Sequence, residues 1–81
     1  MIYKVEDFGA KPDGLTLNTR FVQDAINECN KNGGGQVVFS KGEYVLSTVY
    51  LKSGVEIKIT ENAAILGSLN FDDYDEDEQV D

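Results

Sequence analysis

After one helical stripe, the apolar residues of this chain recur in short runs about twenty residues apart, and that spacing constrains the fold most. The runs 36–39, 44–46, 49–51, 55–59 and 64–66 are short and apolar or alternating, and Gly42, Gly54 and Gly67 punctuate them. Strands this short, divided by turns, suit a sandwich, a small barrel or a β-solenoid. The centre of "VVF" precedes that of "VEIKI" by about nineteen residues, and "YVL" precedes "AIL" by about twenty. One coil of a parallel β-helix has roughly this length, which favours the solenoid.

A solenoid exposes the apolar interior of its first coil unless something covers it. Directly before the first strand of the repeat, Phe21, Val22, Ala25, Ile26 and Cys29 recur at helical spacing and form one apolar stripe. The pattern predicts a helix over 19–32, with Asn18 as N-cap and the run Gly33, Gly34, Gly35 as its stop. Such a helix would lie across the end of the stack as a cap. Burial there contributes roughly 1.5–3 kcal/mol per large side chain. Upstream, 2–5 reads as a short strand and "DFGAKPDGLT" (7–16) as a turn-rich loop. The fold class expected is mainly β: the start of a right-handed parallel β-helix with an N-terminal capping α-helix. Residues 1–71 would be the cap and first coils, and 72–81 an acidic tail.

Eighty-one residues allow one small domain, whose core needs good packing or a covering partner. Cys29 is the single cysteine and there is no histidine. An internal disulfide, a cysteine metal cluster and every histidine-based triad are therefore excluded. The formal charge is −8, but seven of the fifteen acids fall within 71–81; the remaining eight face seven bases, so the body is nearly neutral. No basic stripe exists for nucleic acid, and no apolar run reaches the length of a membrane span. The N-terminus lacks the apolar core of a secretory signal, which favours the cytoplasm, although a secreted chain trimmed of its signal would read the same.

The segments "DFGA", "DGLTLNT", "AINEC", "GGGQVVF", "GEY", "LKSGVEIKI" and "ILGS" followed by "DDY" resemble the N-terminal region of glycoside hydrolase family 28, the polygalacturonases and their relatives. They run from Val5 to Tyr74. The front half is shared with other pectate-lyase-like proteins, including phage tail proteins; the later segments favour family 28. Ser40, Ser47 and Ala63 depart from the family's usual proline, glycine and glycine-alanine at turns. The resemblance implies a right-handed parallel β-helix and inverting hydrolysis of pectin-type polysaccharide without a cofactor. Inversion needs an acid and a base carboxylate about 6.5–9.5 Å apart.

The family's catalytic segments do not map onto this chain. Asn18-Thr19 is followed by Arg20 rather than aspartate, Asp72-Asp73 belongs to the early "DDY" element, the histidine is absent, and the single arginine, Arg20, precedes Phe21. The expected set of catalytic, cofactor-binding and metal-binding residues is therefore none. The chain would meet a polysaccharide only through a longer parent.

The remaining candidates read first as structure. Asp7, Asp13, Gly9 and Gly14 are turn-makers whose oxygens can satisfy loop amides, rather than an acid–base pair. Tyr3, Tyr44, Tyr50 and Tyr74 pack with their hydroxyls at the rim rather than stack on sugars. Cys29 is a small core residue. The triple glycine lacks the Lys-Ser/Thr of a phosphate loop. The acidic tail is a solvated segment without the pattern of a calcium loop. A different class of function remains beside the hydrolase: a free-standing structural or interaction module that covers its open coil end by self-association, most simply as a two-fold homo-oligomer.

Overall fold

In the computed structural model, residues 1–70 are described. The acidic tail, Asp72-Asp73 and Tyr74 lie outside the described residues. Among the described residues six strands occur: β1 (Ile2–Lys4), β2 (Asp13–Leu17), β3 (Gly35–Phe39), β4 (Gly42–Tyr50), β5 (Val55–Ile59) and β6 (Ala63–Asn70). One helix, α1 (Thr19–Lys31), separates β2 from β3, and a single 3-10 turn spans Val5–Phe8. Among the described residues no helix is long and apolar enough to cross a membrane.

Successive strands alternate between two three-stranded sheets, ordered β1-β3-β5 and β2-β4-β6. Each of the first four strands pairs in parallel with the strand two places further along the chain. The twenty-residue spacing in the sequence is the pairing register: Val37 lies beside Ile57, and Tyr44 beside Ile65. Inward residues of both sheets share one core with α1. Val37, Phe39, Tyr44, Leu46, Val49 and Leu51 from the strands meet Val22, Ala25, Ile26 and Cys29 from the helix, all buried. Phe39 and Tyr44 pack edge to face, ring centroids 5.1 Å apart at 81°.

The helix forms where the apolar period predicts, and its stripe is the buried face. Its C-terminal end stops at the glycines as expected, but its N-terminal end differs. Asn18 does not cap α1 through its side chain. It is fully buried and bonds the peptide at Lys11: the Lys11 amide donates to Asn18 Oδ1 at 2.8 Å, and Asn18 Nδ2 donates to the Lys11 carbonyl at 2.8 Å. At the other end, Gly34 sits at φ +102° with its Cα against the next layer; a Cβ there would lie 2.6 Å from the Gly54 carbonyl oxygen.

Two further departures have local causes. The stretch 7–16 contains the end of the 3-10 turn and most of a strand. The β2–β4 pairing matches Asp13 with Glu43 and Leu17 with Val45, so β2 bulges between its two contacts. Asp13 Oδ1 shapes the bulge by accepting the amides of Leu15 at 2.9 Å and Thr16 at 2.7 Å. The runs 44–46 and 49–51 fall on one strand, β4, with Leu51 just past its end. Its pairing with β6 slips by one residue between Val45 and Thr48. Ser47 and Thr48 are therefore both exposed, while Tyr44 and Leu46 before the slip and Val49 and Leu51 after it point inward.

Beyond Val45 the edge of β4 no longer faces β2, and α1 covers it with polar side chains. The Ser47 amide donates to Thr19 Oγ1 at 2.8 Å. The Tyr50 amide donates to Gln23 Oε1 at 2.9 Å, and Gln23 Nε2 returns a bond to the Tyr50 carbonyl at 3.0 Å. Further along, Asn30 Nδ2 donates to the Ser53 carbonyl at 2.9 Å. A helix laid along a sheet edge in this way satisfies donors that would otherwise recruit another strand.

Candidate functional site

The residues singled out in the sequence are not brought together. Asp7 lies exposed on the 3-10 turn. Asp13 is exposed and committed to its own loop: besides the two amides, Thr16 Oγ1 donates to its Oδ2 at 2.7 Å. The Thr16 amide first, then the Thr16 hydroxyl and the Leu15 amide, hold its carboxyl well below the usual range, at about 2. An acid this strong is ionised at any physiological pH and serves as a turn brace rather than a proton donor.

The tyrosines separate by environment. Tyr3 is half-buried, tilted 46° against Phe8 with centroids 6.4 Å apart, and its hydroxyl accepts from Asn32 Nδ2 at 3.2 Å. Tyr44 is fully buried, and its hydroxyl makes no hydrogen bond among the described residues. Burial pushes its phenol up, and the Glu6 carboxylate adds to the effect; the amides of Lys41 and Ser40 act in the opposite direction from nearby without reaching bonding geometry. Tyr50 is 46% exposed. Cys29 is buried in the core, and burial raises its thiol above the ordinary value. Among the described residues, no three of His, Cys, Asp and Glu are grouped to hold a metal ion.

One concavity remains as a candidate. It is an open groove of about 660 Å³ between α1 and the far half of β4. Arg20, Gln23, Asp24 and Asn27 line it from the helix, recurring at the three- and four-residue steps of one helical face. Thr48, Tyr50 and Lys52 line it from the strand side, alternating as outward residues must. Leu17 and Thr19 close one end. The slip in β4 creates this arrangement: it turns Thr48 and Tyr50 outward, where an unbroken alternation from Tyr44 would turn them inward.

Gln23 holds the groove's aromatic wall through both polar backbone atoms of Tyr50, and Asn27 Oδ1 in turn accepts from Gln23 Nε2 at 3.2 Å. Arg20 and Lys52 are exposed, and neither has a hydrogen-bond or ion-pair partner among the described residues. The groove thus offers two cationic heads, one carboxylate and one aromatic ring. Sequence reading missed it because its residues come from two distant segments; the signal was present as a helical step in one and an alternation in the other.

Residues 2–70 match the family model described as rhamnogalacturonase A/epimerase, pectate lyase-like. Alginate lyase 7 of Azotobacter vinelandii is 43% identical over 68 residues, covering 84% of this chain and 8% of that protein. Plasmin and fibronectin-binding protein A of Streptococcus pneumoniae is 36% identical over 72 residues, covering 86% and 10%. Among solved structures, the family 28 exopolygalacturonase of Yersinia enterocolitica superposes with a TM-score of 0.78 at 40% identity, over 84% of this chain and 12% of that one. The chain spans about a tenth of the length of the curated relatives it matches. With a match over nearly all its described residues and a family 28 hydrolase among its structural neighbours, the chain belongs to the pectate lyase-like rhamnogalacturonase A/epimerase family.

Proposed function

We propose that these residues are the N-terminal cap and opening coils of a right-handed parallel β-helix, in a polygalacturonase-type hydrolase that cleaves pectin-type polysaccharide with inversion. The observation that carries the reading is the likeness to the family 28 exopolygalacturonase, 40% identical with a TM-score of 0.78 over 84% of this chain. The alternating parallel strands and the helix along the β4 edge support it: they are what a first coil and its lid require. Residues 1–71 act as the structural unit, and 72–81 as an acidic appendage. No side chain here supplies the acid or the base; those groups come from later coils of a longer parent.

The test joins this segment to the coding sequence that follows it and assays the product on polygalacturonate. Hydrolysis releases reducing ends without a new ultraviolet band, whereas a lyase leaves an unsaturated, absorbing uronide. The 81-residue chain alone releases neither. Reducing-end release by that chain, or an absorbing product from the longer protein, would overturn the reading.

A second reading has one specific observation behind it. β5 and β6 are outer strands, and Ile59 and Leu66 on them are each 44% exposed. A free-standing module would cover that rim with a second copy. A fragment with this open rim would associate as well, so the reading frame beyond Asp81 separates the two: further coils carrying the missing aspartates support the hydrolase, and a stop there supports the module.

A further inference from the structure

We propose that the groove between α1 and β4 is a binding site for a uronate residue of an acidic polysaccharide, separate from any hydrolytic centre. The choice of saccharide rests on the hydrolase reading; the site itself rests on this chain's own residues. Three observations converge. Arg20 and Lys52 sit on opposite walls, exposed and without partners among the described residues, against one carboxylate, Asp24. The groove is therefore locally positive in a body whose charges nearly cancel. Tyr50, 46% exposed, presents a ring beside those cations, and Gln23 fixes its backbone with two hydrogen bonds of 2.9 and 3.0 Å. The strand segment that carries the ring is thereby fixed, so its backbone loses little freedom when a ligand arrives.

The chemistry fits a charged sugar better than either of its parts. A pyranose has an apolar face that packs on an aromatic ring. Its carboxylate suits the planar fork of an arginine, with a lysine as the second charge. A neutral sugar would leave Arg20 and Lys52 unused, and an acidic peptide would leave the Tyr50 face unused. The position along α1 means that occupancy would also tie the helix to β4 across the bonds already joining them, so binding and the seating of the helix are coupled.

The experiment titrates the isotope-labelled 81-residue chain with a short oligogalacturonate, and in parallel with its methyl-esterified form and with a polyglutamate peptide, following backbone and arginine side-chain resonances. The expected result is saturable shifts at Arg20, Gln23, Tyr50 and Lys52, with the ester and the peptide each binding about tenfold more weakly. Arg20→Gln and Lys52→Gln each weaken the acid form by about tenfold, while Lys58→Gln, on β5 and outside the groove, does not. Tyr50→Leu weakens the acid and the ester alike. Absence of saturable shifts, equal binding of the ester or the peptide, or an equal loss in Lys58→Gln would each overturn the proposal. These outcomes are independent of hydrolysis by the longer protein: an empty groove leaves the hydrolase reading standing, and a parent without hydrolytic activity leaves the groove measurement standing.

Discussion

Asn18 and Lys11 exchange two hydrogen bonds of 2.8 Å, one in each direction, so a buried side-chain amide pairs with the loop's peptide as a second strand would. The Asn18 amide donates in turn to the Val45 carbonyl at 2.7 Å. One residue therefore joins the opening loop, the start of α1 and the centre of β4. Asn18→Ala strands two partly buried backbone groups and should cost about 2–4 kcal/mol, measured by urea denaturation. Asn18→Asp keeps the acceptor but turns its other oxygen towards the Lys11 carbonyl. It should recover little at neutral pH and more on acidification, as the carboxyl gains a proton to donate.

The Asp13 brace has a pH signature. Its carboxyl is at about 2 in the folded chain against an ordinary 3.8. A depressed carboxyl contributes stability that is complete above the unfolded value and is lost as pH falls through the folded one. The melting temperature should therefore decline between about pH 4 and pH 2. Asp13→Asn, which cannot titrate, should show a flatter curve in that window. The carboxyl resonance of Asp13 should titrate near 2.

Two adjacent glycines separate conformation from contact. Gly33 and Gly34 both have left-handed backbones, φ +96° and +102°. A Cβ on Gly33 meets nothing within 4 Å, so Gly33→Ala should cost only the conformational term of about 1–2 kcal/mol. On Gly34 a Cβ meets the Gly54 carbonyl at 2.6 Å, so Gly34→Ala should cost roughly a further 1–3 kcal/mol. Equal losses in the two variants would show that the layers separate at no cost.

The Tyr44 hydroxyl is the buried polar group without a partner among the described side chains. Tyr44→Phe keeps the ring against Phe39 and removes the unsatisfied oxygen. It should match or exceed the parent in stability by up to about 1 kcal/mol. Tyr44→Ala should lose about 3–5 kcal/mol. A large loss in the phenylalanine variant would reveal a bonded water at that oxygen.

Much of this was legible in the chain. The stripe of Val22, Ala25, Ile26 and Cys29 gave α1 and its buried face, since helical periodicity reports burial directly. The distance from "VVF" to "VEIKI" gave the β3–β5 pairing, because in parallel layers sequence spacing and register are one quantity. The break between Leu46 and Val49 was visible too, but as two segments: a change of phase looks like a gap until a partner strand runs through it. β2 was not legible. Its apolar residues Leu15 and Leu17 face outward, so it has no core pattern, and only its contacts with β4 make it a strand. The role of Asn18 was misassigned because the same amide that can cap a helix can also pair with a distant peptide, and burial decided in favour of the second. The groove required knowing that 20–27 and 48–52 lie side by side, which no local pattern states.

The pairing of each strand with one two places further on has a kinetic corollary. Among the described residues no strand has its partner at the other end of a tight hairpin: Ile2 waits for Gln36, and Gly42 for Ala63. Loop closure must therefore come before any sheet bond rewards it, and α1 is the one long element whose bonds close locally. The chain should assemble slowly for its size, from the helix outward, with neighbouring layers ordering together or not at all.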